Sequence, residues 1–345
     1  MSEAETYRAI RLERIAPSFR EGCEIVELPR LAPGPGEIRV RNMHCGVNGI
    51  FDTQIARDAV DYVKIALPTF TGVEAIGVVE EVGEGVTGFV PGDAAVSVRF
   101  TGGYREENTA PESAFVKVPE ATREYLALSS TGVSAHVALY HIGALKPGET
   151  VAISAAAGGL GHFLVQLAVL RGCRVVAVAG GPEKCAFVKS LGAERVIDYK
   201  SENVALVLDA EYSNALDVAV DTVSGSIYDA FLANLANHGR LVVGGAASDL
   251  EGKPEIVNAP RIAHAIYYKS ASVRGFMNGL LTEHWPAARE ELFSLYQSGK
   301  IAVRFDAPDL VGIEGVFDAV ERLLSGRSSG KVVVDLAAPP SSNPD

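Results

Sequence analysis

The sequence predicts an α/β chain, a β-rich, barrel-like unit followed by a doubly wound parallel sheet. Three observations predict it. Short strands broken by Gly and Pro fill residues 1–125. Beyond residue 150, continuous apolar runs alternate with helical segments. At 151–161 the run V-A-I-S-A-A-A-G-G-L-G joins a strand to a helix through glycines.

In the first part, strands are expected at Glu37–Arg41, Gly77–Val82, Ala94–Val98 and Ala114–Val118. The turns P-G-P-G-E (33–37) and P-G-D (91–93) separate short alternating runs, the pattern of a barrel-like sheet. His44 and Cys45 are adjacent on a strand and face opposite ways, so they form no nucleophilic pair. A helix over Glu124–Ile142 then leads to a P-G turn at 147–148.

Strands and helices alternate from there. Strands are expected at Thr150–Ser154, Arg174–Val178, Arg195–Ile197, Leu216–Asp221, Arg240–Val243 and Ser272–Arg274. Helices are expected over 159–171, 183–191, 202–210 and 225–236. Strands that are apolar throughout belong to a sheet covered on both faces. Two further helices, Glu283–Ser298 and Ile313–Ser325, precede a closing strand at Lys331–Asp335.

Composition bounds the function. Apolar residues make up 48% of the 345 and charged residues 21%, which suits a globular chain with a sizeable core. A net charge of −12 disfavours nucleic acid and anionic membrane as partners. No apolar run reaches the ~18 residues of a membrane helix, and M-S-E-A-E-T resembles no secretory signal. The four cysteines, at 23, 45, 173 and 185, match neither a disulfide framework nor a metal site. A cytoplasmic protein with reduced thiols is the expectation.

The turn at 155–161 predicts a dinucleotide site. Ala157, Gly158, Gly159, Leu160 and Gly161 would let a pyrophosphate approach the backbone at a helix N-terminus. Ala155 takes the first glycine's place. An NAD site usually carries an acid at the tip of the second strand. Here the tip is Gly180-Gly181, with Lys184 one turn on, which favours the extra phosphate of NADP(H). Tyr199 is a second candidate for that phosphate. Val223, Ser224, Gly244 and Gly245 lie at the carboxyl ends of the fourth and fifth strands, where doubly wound sheets bind ligands.

With these motifs the chain resembles a medium-chain dehydrogenase/reductase. The resemblance rests on G-V-N (46–48), T-G-V-E-A-I-G-V-V-E-E-V-G (71–83), P-G-D (91–93), A-A-A-G-G-L-G (155–161), K-S-L-G-A (189–193), G-R-L-V-V-G-G (239–245) and S-G-K-V-V-V (329–334). S-F-R-E (18–21) and K-S-A-S-V-R-G-F (269–276) are similar to the zinc-independent quinone oxidoreductase group, in the branch of the 15-oxo-prostaglandin 13-reductase.

That resemblance implies a split GroES-like catalytic domain (1–125 and 276–345). Between its parts lies a Rossmann NADP(H)-binding domain (126–275) with a six-stranded parallel sheet. It implies a homodimer through the last Rossmann strand. It places Asn48 beside the nicotinamide as a hydrogen-bond donor and Tyr62 over it as proton or oxyanion donor. It implies cofactor contacts at Ser134, Phe276, Met277, Asn278, Ser328 and Lys331. It offers His136 as a pocket residue, although a helix-surface role is the plainer reading. Histidines 44, 162, 238, 264 and 284 read as surface or capping groups.

Zinc enzymes of this family use a Cys where Asn48 stands and a His where Val73 stands. Valine cannot ligate and an amide is a poor zinc donor, so no metal is expected. Glu74 then reads as a buried hydrogen-bonding group. His136 and His141, five apart on a helix, look poorly aligned for a shared ligand. Without a Lewis acid, hydride addition to a C=C conjugated to a carbonyl is favoured, because hydrogen-bond donors can hold the enolate oxygen. Enone and enal reduction is the leading expectation. Quinone reduction, enoyl-thioester reduction and a crystallin-like NADPH-binding protein are the alternatives.

Overall fold

The computed structural model describes residues 5–49, 54–59, 65–249, 255–307 and 309–337. They fall into two compact units, Met1–Ser130 with Phe305–Asp345, and Thr131–Arg304. Residues 276–304, assigned from sequence to the catalytic domain, cluster with the second unit.

The first unit is built on two sheets. Strands β1 (Thr6–Leu12) and β2 (Cys23–Pro29) form an antiparallel hairpin around the short helix α1 (Phe19–Gly22), and β1 also pairs β4 (Thr69–Phe70). The larger sheet centres on β3 (Glu37–Gly46), which pairs antiparallel with β5 (Glu74–Val82) and β7 (Glu107–Pro111). Beyond β5 lie β6 (Ala94–Val98) and β8 (Val116–Val118). The chain's end returns to this sheet. β15 (Leu310–Val311) pairs β16 (Val333–Asp335), and β16 pairs the far end of β3.

β3 runs five residues past the predicted Arg41, so Gly46 sits opposite both Glu74 and Val333. The helix Gly315–Leu324 closes this side. It buries Val316, Phe317, Ala319 and Val320, an i, i+1, i+3, i+4 stripe that packs with Ile10, Leu12 and Val334.

Helix α2 (Arg123–Ala127) opens one helical run to Ile142, which includes α3 (Val133–His136). Between and after these helices, Leu128–Gly132 and Val137–Ile142 are wound wide, as π-helical turns. A wide turn brings residues five apart onto one face. His136 and His141 therefore sit with ring centroids 5.9 Å apart, against the expectation of poor alignment.

The second unit holds a six-stranded sheet in the order β11-β10-β9-β12-β13-β14, parallel throughout. These are β9 (Thr150–Ile153), β10 (Arg174–Ala179), β11 (Arg195–Asp198), β12 (Leu216–Asp221), β13 (Leu235–Val243) and β14 (Ser272–Gly275). Helices α4 (Gly161–Leu170), α5 (Pro182–Ser190), α6 (Val204–Glu211) and α7 (Gly225–Ala233) are the crossovers. Helix α8 (Ala263–Tyr267) precedes β14, and α9 (Trp285–Gln297) follows it. α10 is the helix Gly315–Leu324 of the first unit.

β9 is buried at every position, and Val175–Ala179 of β10 likewise, which explains their unbroken apolar sequence. Helix α7 stops at Ala233, three residues before its predicted end. There the Asn234 amide bonds Ala230 O and Asp209 Oδ1, and the chain turns at once into β13.

Candidate active site

The sequence-predicted residues gather in two clusters, one in each unit. In the first unit Gly46 ends β3 with no side chain. A Cβ there would lie 2.1 Å from Glu74 Oε1 and 2.9 Å from Lys331 Cε. That space lets Glu74 and Lys331 meet as an ion pair, with 0% and 2% of their side chains exposed.

Asn48, two residues past the strand, completes the cluster. Its Nδ2 donates to Glu74 Oε1 at 3.0 Å, and its Oδ1 accepts from Lys331 Nζ at 3.2 Å. Lys331 Nζ also donates to Val47 O at 3.0 Å. An ammonium has three hydrogens and no acceptor, so these three partners saturate it. A lysine can only donate, which fixes the amide oxygen of Asn48 toward Lys331 and its nitrogen toward Glu74. Glu74 Oε2 is buried with no hydrogen-bond partner. The Lys331 side chain is thus committed inside its own unit. Ser328 is half-buried in the loop leading to it. Tyr62 lies outside the described residues.

In the second unit the glycine turn follows β9 as predicted. Ala155 adopts φ 46°, the left-handed conformation that a glycine would take without cost. Gly161 is required by packing. A Cβ on it would stand 2.2 Å from Ala155 O and 2.6 Å from Ala156 Cα. Gly158 N donates to Ala155 O, and His162 N donates to Gly158 O. Leu160 caps α4, Gly161 opens its first turn and Gly159 stands just before them, at the helix end whose N–H groups point toward an anion. Ala157 is buried beneath this turn.

His162 is a finding the sequence reading missed, because it is fully buried and not a surface group. Its Nε2 accepts from Arg304 N at 3.3 Å, so Nδ1 carries the hydrogen and donates to Gly158 O at 2.9 Å. The imidazole clamps the turn from below.

Asp221 was missed too. It ends β12, buried completely, at the point where the order of the sheet reverses between β9 and β12. It accepts from Ser154 Oγ at 2.7 Å, Val223 N at 3.0 Å and Ser224 N at 2.9 Å. Those bonds hold Ser224 at φ 74°, strained for a residue with a side chain. The signal for it was an acid at the carboxyl end of a strand after the apolar run Val218–Val220.

At the tip of β10 the structure alters one inference. The Gly181 amide is not open to a ligand, since it donates to Asp198 Oδ1 at 2.8 Å. Backbone donors at Gly181 and Lys200 hold the Asp198 carboxyl below its ordinary range. The Tyr199 ring lies over Gly180, where a Cβ would come within 2.6 Å of it. Half of Tyr199 stays exposed. Lys184 lies in the first turn of α5.

At the far side of the sheet, Gly244 N bonds Asp221 O and Phe276 N bonds Val243 O. Gly245 and Met277 are half-buried beside them in sequence. Asn278 Nδ2 donates to Ser134 Oγ at 2.9 Å, bringing together two residues predicted separately. His136 is buried and pairs with Glu291 at 2.9 Å, which replaces the helix-surface reading.

Among the described residues no three His, Cys, Asp or Glu side chains gather as a metal site. No helix among them is long and apolar enough to cross a membrane.

Comparison with known proteins agrees with this layout. The alcohol dehydrogenase GroES-like domain matches residues 34–120, and the zinc-binding dehydrogenase family matches 159–294. Prostaglandin reductase-3 of Mus musculus is 34% identical over 98% of this chain and 91% of its own length. The chain is a medium-chain dehydrogenase/reductase. It belongs to the zinc-independent quinone oxidoreductase group, in the prostaglandin reductase branch. A probable quinone oxidoreductase of Leishmania amazonensis is 31% identical to this dehydrogenase/reductase, over 97% of this chain and all of the relative. Escherichia coli quinone oxidoreductase complexed with NADPH superimposes with a TM-score of 0.81 at 28% identity, covering 96% of this chain and 100% of that one.

Proposed function

We propose that this chain is an NADPH-dependent reductase of C=C bonds conjugated to a carbonyl, acting on small enones and enals without zinc. The observation that carries it is the Asn48 amide, oriented by Glu74 and Lys331 at the position where zinc relatives carry a cysteine ligand. The amide so oriented is the donor we assign to the substrate's carbonyl oxygen, where negative charge collects as the enolate forms.

The residues of the second unit fit the cofactor. The turn Gly158–Gly161 brings backbone close to where a pyrophosphate would sit at the start of α4. Lys184 and Tyr199 are assigned to the phosphate on the adenosine ribose. Val223, Ser224, Gly244, Gly245 and the segment Phe276–Asn278 line the carboxyl ends of the strands toward the nicotinamide, with Ser134. When bound, NADPH supplies a hydride to the β-carbon. Tyr62 is our candidate to deliver the proton to the α-carbon. Ser328 and Lys331 act indirectly, through the loop and through Asn48. In this reading residues 1–125 and 276–345 form the catalytic domain, and 126–275 the cofactor domain.

Quinones are a second substrate class, favoured by relatives that carry that name. A quinone is a vinylogous enone, and the same donor at Asn48 serves it. We also propose a homodimer through β14. Among the described residues that strand pairs with β13 alone, and the apolar side chains of Ile256, Tyr267, Tyr268 and Leu280 nearby in sequence are exposed.

The test is oxidation of NADPH and NADH against enones, enals, quinones and simple aldehydes, with and without a chelator. NADPH-dependent enone turnover that ignores the chelator is expected, and Tyr62→Phe should slow it. Chelator-sensitive aldehyde reduction, or a preference for NADH, overturns the reading. Light scattering reports the dimer.

A further inference from the structure

Asn278 is gripped at both ends of its amide. Nδ2 donates to Ser134 Oγ, and Oδ1 accepts from Trp285 Nε1, each at 2.9 Å. An indole N–H can only donate, so Trp285 decides which way the Asn278 amide faces. Without it the amide could turn over, presenting oxygen to Ser134 in place of N–H.

Trp285 is well placed for this task. It stands in the first turn of α9, half-buried, on a helix start tied down by its neighbours. His284 stacks on His141 with centroids 3.8 Å apart and planes 17° from parallel. One helical stretch on, Glu291 bonds the buried His136. Both partners lie on the same helical run as Ser134, so the indole and the serine share one support. A group that must hold another within a few tenths of an ångström needs such backing. Segment 276–278 is tied by Phe276 N bonding Val243 O and by the short 3₁₀ turn Asn278–Leu280, in which Leu280 N bonds Met277 O; neither fixes the Asn278 amide.

We infer that Trp285 is a positioning residue for the nicotinamide half of the cofactor site: through its N–H it sets the Asn278 amide, and with it Ser134. This rests on the NADPH reading above. A purely structural indole would anchor α9 and leave the cofactor's two halves equally served.

The experiment compares two ligands. NADPH engages both halves of the site, and adenosine 2′,5′-bisphosphate engages only the adenosine half. Their Kd values are measured by calorimetry on wild type, Trp285→Phe and Asn278→Ala. Trp285→Phe keeps the aromatic bulk and removes the donor. The expected result is about a tenfold loss for NADPH, the size of one hydrogen bond left unmade, with the bisphosphate unchanged within about twofold. Asn278→Ala should show the same split, and the double variant should be no worse than either single one.

Equal weakening of both ligands, no weakening of either, or additive losses in the double variant overturns the inference. If Trp285→Phe does not fold, Asn278→Ala alone must show the split or the inference falls. Wild-type protein that binds neither ligand sinks the cofactor reading itself, which separates that failure from this one.

Discussion

Lys331 and Glu74 form an ion pair inside the first unit, with almost none of either side chain exposed to water. The two residues come from opposite ends of the chain. Glu74 opens β5, and Lys331 precedes β16, the last strand of the sheet. Both strands flank the end of β3 at Gly46, so the pair forms only when the chain's end has docked on the sheet. It holds Asn48 between an acceptor and a donor, and so links the closing of the fold to the orientation of the proposed oxyanion donor.

Removing one member of a buried pair strands the other charge without water. Glu74→Gln or Lys331→Met should each cost about 3–5 kcal/mol of stability. The double variant should recover much of that loss, since no uncompensated charge remains. Urea denaturation of the four proteins measures the cycle. Equal midpoints for wild type and single variants would show that the pair contributes nothing.

Asn48→Ala removes the donor and leaves the ion pair. In the proposed reaction it should lower kcat about 10²–10³-fold, the usual effect of deleting one oxyanion donor. The affinity for NADPH should hold. A fall in NADPH affinity with kcat preserved would reassign Asn48 to cofactor binding.

Much of the second unit could be read from its residues, and the reason is physical. Strands covered on both faces must be apolar throughout, so Val151–Ile153 and Val175–Ala179 announce themselves without a partner. Gly161 was legible because a Cβ there collides with Ala155 O. What pattern could not reveal were contacts between distant residues. Glu74 with Lys331, Asp221 with Ser154 and Asp198 with Gly181 each join a strand end to a segment far off in sequence. His162 is polar on an apolar helix, and only the fold shows its two ring nitrogens occupied. The wide turns of residues 128–142 likewise have no periodic signature, yet they align His136 with His141.

In the proposed cofactor site, preference for NADPH is assigned to the residues around Gly180, just past the carboxyl end of β10. Lys184→Ala and Tyr199→Ala should each lower kcat/KM for NADPH by about tenfold or more, as expected for a lost charge-assisted hydrogen bond, with NADH unaffected. Gly180→Ala should do the same indirectly, because its Cβ would displace the Tyr199 ring. The ratio of NADPH to NADH efficiency is the measurement. A ratio that ignores all three substitutions would place the phosphate elsewhere.

Two histidines set a slope of stability with pH. Burial lowers the pKa of His44, with Asp335 and Glu124 opposing and Arg123 assisting. Burial also lowers that of His141, reinforced by His284 and His136 and opposed by Glu283. A histidine with a lowered folded pKa binds its proton more weakly when folded than when unfolded. The unfolded chain then takes up more protons as pH falls below ~6.5, and stability drops until the folded groups titrate as well. Above that pH the contribution is whole. Thermal melts should therefore give a lower Tm at pH 5.5 than at pH 7.5. His44→Asn and His141→Asn should each flatten that difference. Because carboxylates titrate mostly below this window, an unchanged slope in both variants would assign it to other histidines.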